Sequence, residues 1–83
     1  MNLITDPELL AKFADDVLDI IVTYNSHDGA ESVSFIQEEM RCKGWKGLSD
    51  KIDFIETCVV AGFHERPVYK KNSDIVRTTL IAV

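Results

Sequence analysis

Residues 47–66, GLSDKIDFIETCVVAGFHER, decide the fold of this chain. Leu48, Ile52, Ile55 and Val59 recur at four, three and four residues, the spacing of a helix with one apolar stripe. Ser49, just after Leu48, reads as the capping residue, and Gly62 stands where a helix closes through positive φ. Beyond Gly62 the pattern changes. Residues 66–71 read as a short extended run and residues 72–74, Asn-Ser-Asp, as a turn. Residues 75–83 are dense in β-branched side chains and have strong strand character. A helix therefore leads directly into a C-terminal β-hairpin.

Two further helices precede this unit. The first starts at Thr5, which forms a capping box with Glu8, or at Asp6, which precedes a proline suited to the first helical position. Leu10, Phe13, Val17, Ile20, Ile21 and Tyr24 then share one face. Residues 25–29 carry turn chemistry. The second helix is expected to be capped by Asp28, with Glu31 three residues on. Its stripe is Val33, Ile36 and Met40, flanked by Phe35, and it stops near Cys42 before the glycine-broken run 43–47. The order α-α-α-β-β predicts an α+β fold, three helices followed by a β-hairpin, in a single small domain over residues 1–83.

The composition is that of a globular chain, 46% hydrophobic and 28% charged. At 83 residues it lies near the lower limit for independent folding. No apolar run approaches the roughly 18–20 residues that span a bilayer, and the first residues lack the basic-then-apolar pattern of a secretory signal. Cys42 and Cys58 form no CxxC. The expectation is a cytoplasmic protein with free thiols and no membrane contact. The net charge of −5 is unevenly spread. Residues 1–40 carry nine acids against Lys12 alone, whereas residues 41–71 carry seven bases against four acids. Such an asymmetry steers charged partners.

The residues quoted first also resemble the recognition-helix region of winged helix-turn-helix domains. A small residue, a hydrophobe, a capping serine and regular apolar positions are followed by the pair Gly62-Phe63, which in that family leads into the first wing strand. VSFIQEEM, residues 33–40, then matches the preceding helix, and residues 70–74 match the wing tip. The resemblance spans about residues 28–83 and implies a winged-helix-like scaffold. It also implies a nucleic-acid surface made by Lys43, Lys46, Lys51, Arg66, Lys70 and Lys71. Two features depart from the family. The turn from Met40 to Leu48 is long, and the recognition helix carries Asp50, Asp53 and Glu56 against Lys51 alone. Helices that enter the major groove usually offer Arg, Lys, Asn or Gln, and acids there repel phosphates.

The first helix contains Asp15-Asp16-Val17-Leu18-Asp19, a DDxxD similar to the aspartate-rich motif of prenyl-diphosphate enzymes. Those enzymes enclose a deep apolar cavity that 83 residues cannot build. With Leu10 at zero and a step of 100° per residue, the apolar stripe runs from about 260° through zero to 40°. Glu8 and the three aspartates fall at about 140–240° by the same step, opposite the core. They read as a solvated face.

Cys42, Cys58, His27 and His64 match no zinc-ligand spacing, and Cys58 beside the third stripe reads as a core thiol. Adjacent Ser26-His27-Asp28 do not make a catalytic triad, which is defined by spatial roles. Neither a phosphate loop nor HExxH is present. No cofactor, metal or enzymatic activity is expected.

Trp45, set among lysines in a loop, either folds back over the core or serves as a contact residue, and Tyr69 points outward from the wing strand as a second contact aromatic. The last strand is apolar on both faces. With one face on the helices, Ile81 and Val83 are expected at an exposed edge open to homodimerisation, unless helix one or Leu3-Ile4 covers them.

The leading expectation is a non-enzymatic regulatory or inhibitory protein that binds a protein partner through Asp15, Asp16, Asp19, Glu38 and Glu39. Its size and charge are similar to those of phage-encoded inhibitors of host defence and of nucleic-acid-handling machinery. The alternative is a DNA-binding winged-helix transcription regulator using the basic turn and wing.

Overall fold

The computed structural model describes residues 4–24, 31–69 and 74–82. Three helices, α1 (Pro7–Tyr24), α2 (Val33–Cys42) and α3 (Lys51–Val60), are followed by strands β1 (Phe63–Tyr69) and β2 (Ile75–Ala82). The strands pair as a two-stranded antiparallel hairpin, an α+β arrangement as the sequence predicts. β1 begins three residues before the extended run read from the sequence. The expected wing tip falls largely on residues 70–73, which lie outside the described residues, as do the turn at 25–29, Asp28, His27, Leu3 and Val83.

The helix caps follow from local chemistry. Asp6 caps α1: its Oδ1 accepts the amide of Glu8 at 3.2 Å and its carbonyl that of Leu10 at 2.9 Å, with Pro7 in the first turn. α2 is capped by Ser32 rather than the expected Asp28, because the Ser32 Oγ lies 3.1 Å from the amide of Phe35. α3 is capped by Asp50 rather than Ser49; one carboxylate oxygen accepts the amides of both Ile52 and Asp53, which a single hydroxyl one residue earlier does not reach. Gly62 takes φ +103° directly after α3, and Gly44 takes φ +109° after α2. Both conformations are strained for side chains bearing a Cβ.

Every element feeds one core. Phe13, Val17 and Ile20 come from α1, and Val33, Ile36 and Met40 from α2. Phe54 and Cys58 come from α3, with Leu48, Phe63 and Leu80 from the segments around it. The first two stripes lie where their spacing predicts, except that Tyr24 at the end of the first is exposed. The third does so only in part: Leu48 is buried and Ile55 packs against the core, but Ile52 is 67% exposed and Val59 55% exposed, whereas Phe54 and Cys58 are fully buried. α3 is apolar on two sides, and burying the larger Phe54 removes more apolar surface from water. Phe54 also meets the ring of Phe13 edge-on at 6.0 Å. Thr57 is buried on the same side and satisfies its hydroxyl on the carbonyl of Asp53 at 2.8 Å.

The hairpin pairs Phe63 with Ala82, Glu65 with Leu80 and Arg66 with Thr79, and its register slips between Val68 and Tyr69. Leu80 and Thr79 point to opposite sides of β2, yet both are buried. The face expected to meet water is instead partly closed by α1, and Ile81 is half-buried beside Ile21. The large exposed apolar residues of β2 are Ile75 and Val76, at its other end.

Candidate interaction surfaces

The run between α2 and α3 folds back onto α1. Lys43 closes α2 by donating its amide to the carbonyls of Glu39 and Met40, and Gly44 turns the chain. The amide of Trp45 then donates to the carbonyl of Met40 at 3.1 Å. The indole lies edge-on to Phe13, with ring centroids 5.2 Å apart and an interplanar angle of 86°. Its Nε1 donates to Asp16 Oδ2 at 2.8 Å. One turn along α1, Lys43 Nζ donates to Asp19 Oδ2 at 3.1 Å. The carboxylate beside it raises the pKa of the Lys43 ammonium, through the hydrogen bond first. Trp45 thus lids the core, the first of its two sequence readings.

This geometry separates the three carboxylates of DDxxD. Asp16 is engaged by the indole, Asp19 by an ammonium, and Asp15 is exposed. They do not converge on a point where a cation could sit. Among the described residues no group of three or more His, Cys, Asp or Glu side chains could hold a metal ion. Cys42 is exposed, while burial pushes the Cys58 thiol up to about 12.

On α2, Glu38 accepts from Arg41 Nε at 3.1 Å, and the Arg41 hydrogen bond lowers the Glu38 pKa while Glu38 raises that of Arg41. Glu39 is half-buried and hydrogen-bonds Tyr24, whose pKa it raises; the Tyr24 ring also meets Phe35 edge-on at 5.0 Å. Asp16, Asp19 and Glu39 of the acidic surface are thus tied to other parts of the fold, while Asp15 is exposed.

Of the six basic residues four are described, and Lys43 and Arg66 among them are not brought together. Lys43 is bound to the acidic side of α1, at about 180° on its projection. Arg66 lines a groove closed by Ile21, at about 20°. The turn and the wing therefore meet opposite sides of α1. Lys46 and Lys51 are exposed, and Lys70 and Lys71 lie outside the described residues. Tyr69 is 57% exposed on β1. No helix among the described residues is long and apolar enough to cross a membrane.

Three features escaped the reading of the sequence. The outward face of α3 carries Ile52, Glu56, Val59 and Val60, all exposed. Its signal was available: α3 holds more apolar residues than one stripe accommodates. The groove between α1 and the hairpin depends on sheet twist, which leaves no local mark. Gln37 Nε2 donates to the carbonyls of Leu48 at 2.9 Å and Ser49 at 3.0 Å, fastening the long run after α2 to the start of α3. Comparison with protein-family models, with curated proteins and with solved structures finds no match to this chain.

Proposed function

We propose that this chain is a small non-enzymatic regulatory or inhibitory protein, built on a winged-helix-like scaffold, that binds a basic protein partner through the acidic surface of α1 and α2. The observation that carries this reading over DNA binding is the outward face of α3. Where a DNA-reading helix presents cations and amides to bases and phosphates, α3 presents Ile52, Glu56, Val59 and Val60. That face suits a protein surface. The separation of the basic turn from Arg66 points the same way, because phosphate binding gains from clustered cations. Asp16 and Asp19 are held in place from within the chain, so the acidic surface meets a partner with little ordering cost.

The test pairs two measurements. Fluorescence anisotropy with random duplex DNA at low salt is expected to show no saturable binding; salt-sensitive binding lost on Arg66→Gln favours the DNA-binding regulator instead. Affinity capture from the native host is then compared between the wild type and an Asp15→Lys/Asp19→Lys variant of unchanged circular dichroism. A partner retained equally by both rules out the acidic surface.

A further inference from the structure

A groove lies between α1 and the hairpin, and it has a composition of its own. Its volume is about 370 Å³, within the roughly 300–1,000 Å³ of small-molecule sites. Ile21 lines it from α1, and Pro67, Val68, Tyr69, Thr79 and Ile81 line it from the hairpin. The hairpin touches α1 through β2, and the ladder is irregular between Val68 and Tyr69, both of which line the groove. Ile21, Val68 and Ile81 are each only half-buried, so apolar surface is left for a ligand to cover.

Arg66 is the charged residue of the lining. It is exposed, and its side chain has no ion-pair or hydrogen-bond partner among the described residues. Its neighbour Glu65 pairs with Leu80 and is not part of the lining. The net charge of −5 is screened beyond about 8 Å at physiological ionic strength, and the charges next to the groove include a second cation, Arg77 opposite Val68. A planar guanidinium with open donors binds a carboxylate through two parallel hydrogen bonds.

We propose that this groove binds a small amphipathic monoanion, its carboxylate on Arg66 and its hydrocarbon body against Ile21, Pro67, Val68 and Ile81. The volume suits a short-chain or single-ring acid. A second copy of the chain is disfavoured, because an isologous pairing centred on the groove sets two Arg66 cations around its axis. The site lies on the side of α1 away from the acidic surface, and it does not depend on the function proposed above.

The test is a titration of the isotopically labelled protein with octanoate, and in parallel with octanol, followed by amide chemical shifts. Octanoate is expected to give saturable shifts at Ile21, Val68, Thr79 and Ile81. Octanol is expected to bind about tenfold more weakly, as is octanoate to Arg66→Gln, with Arg66→Lys recovering part of the loss. The octanol arm uses the wild-type chain and is independent of how any variant folds. Failure to saturate overturns the proposal, as do equal affinity for octanol or shifts spread equally over Ile52, Val59 and Val60. An acidic apolar hexapeptide that saturates the same amides at lower concentration than octanoate assigns the groove to a protein segment and also overturns it. So does a concentration-dependent dimer in sedimentation that blocks the octanoate shifts.

Discussion

The indole Nε1 of Trp45 donates a 2.8 Å hydrogen bond to Asp16, across 29 residues of sequence. The contact fastens the run after α2 to the outer side of α1 while the ring covers Phe13. Two separable contributions follow, one apolar and one polar. Trp45→Phe keeps most of the ring and loses the donor, and is expected to cost about 1–2 kcal/mol. Trp45→Ala loses both, and is expected to cost about 2–4 kcal/mol for a half-buried ring. Urea denaturation measures both. A double-mutant cycle with Asp16→Asn should return a coupling on the order of 1 kcal/mol, and additivity would mean that the hydrogen bond contributes nothing.

The burial of α3 can be checked by substitution on its two sides. Phe54→Ala is expected to cost about 3–5 kcal/mol, because it opens a cavity next to Phe13. Ile52→Lys and Val59→Lys should change stability by no more than about 0.5 kcal/mol, since both residues are more exposed than buried. The reverse ranking would return the core to the stripe read from the sequence.

That contrast shows where the sequence was legible. In α1 and α2 one apolar stripe faces one polar side, so periodicity alone identifies Phe13, Val17, Ile20, Val33, Ile36 and Met40 as core. The hairpin was legible because β-branched density and a turn follow a helix-closing glycine. α3 offers two apolar sides, and only the tertiary contact with Phe13 selects Phe54 over Ile52. The acidic surface was legible as a charge pattern. The engagement of Asp16 and Asp19 was not, because Trp45 and Lys43 reach them across a turn whose path no local signal specifies. The two-sided burial of β2 at Thr79 and Leu80 was missed for a related reason: alternation gives the faces but not which neighbours cover them.

The two thiols should differ in reactivity. Cys42 is exposed, so a thiol-disulfide reagent at pH 8 is expected to modify it rapidly in the folded protein. Cys58 is buried and its thiol is pushed up to about 12, so it should react only on unfolding. Mass spectrometry after timed labelling distinguishes one modified site from two. Rapid labelling of Cys58 under native conditions would show that the core is open there.

The same burial has a consequence for alkaline stability. The folded pKa of Cys58 lies above its ordinary value of 9.0, so above pH 9 the unfolded chain loses this proton while the native chain keeps it. The native state then binds more protons, and stability falls with rising pH by about 1.4 kcal/mol per unit over the window from 9.0 to about 12. Tyr24 and Lys43 also have raised pKa values, from their hydrogen bonds to Glu39 and Asp19, and they act in the same direction at higher pH. Cys58→Ala removes the thiol contribution, so its stability should decline less steeply between pH 9 and pH 10 in urea titrations. Identical slopes would sink the assignment.

Gln37 offers the last test, because its side chain fastens the run after α2 to the start of α3. Its Nε2 supplies both protons to the carbonyls of Leu48 and Ser49, the two residues before the Asp50 cap. Gln37→Ala leaves two carbonyls to water at a partly exposed site, and is expected to cost about 1–2 kcal/mol. Gln37→Glu retains the length but has no donor and places a carboxylate against two carbonyl oxygens, so it should cost at least as much as alanine. Hydrogen exchange localises the effect. Amides at the start of α3, Ile52 and Asp53, should lose protection while those in the middle of α1 keep theirs, because the former depend on Asp50 being held in place as a cap. A uniform loss of protection across the chain would show instead that α3 and α1 unfold as one unit, with Gln37 contributing only to global stability.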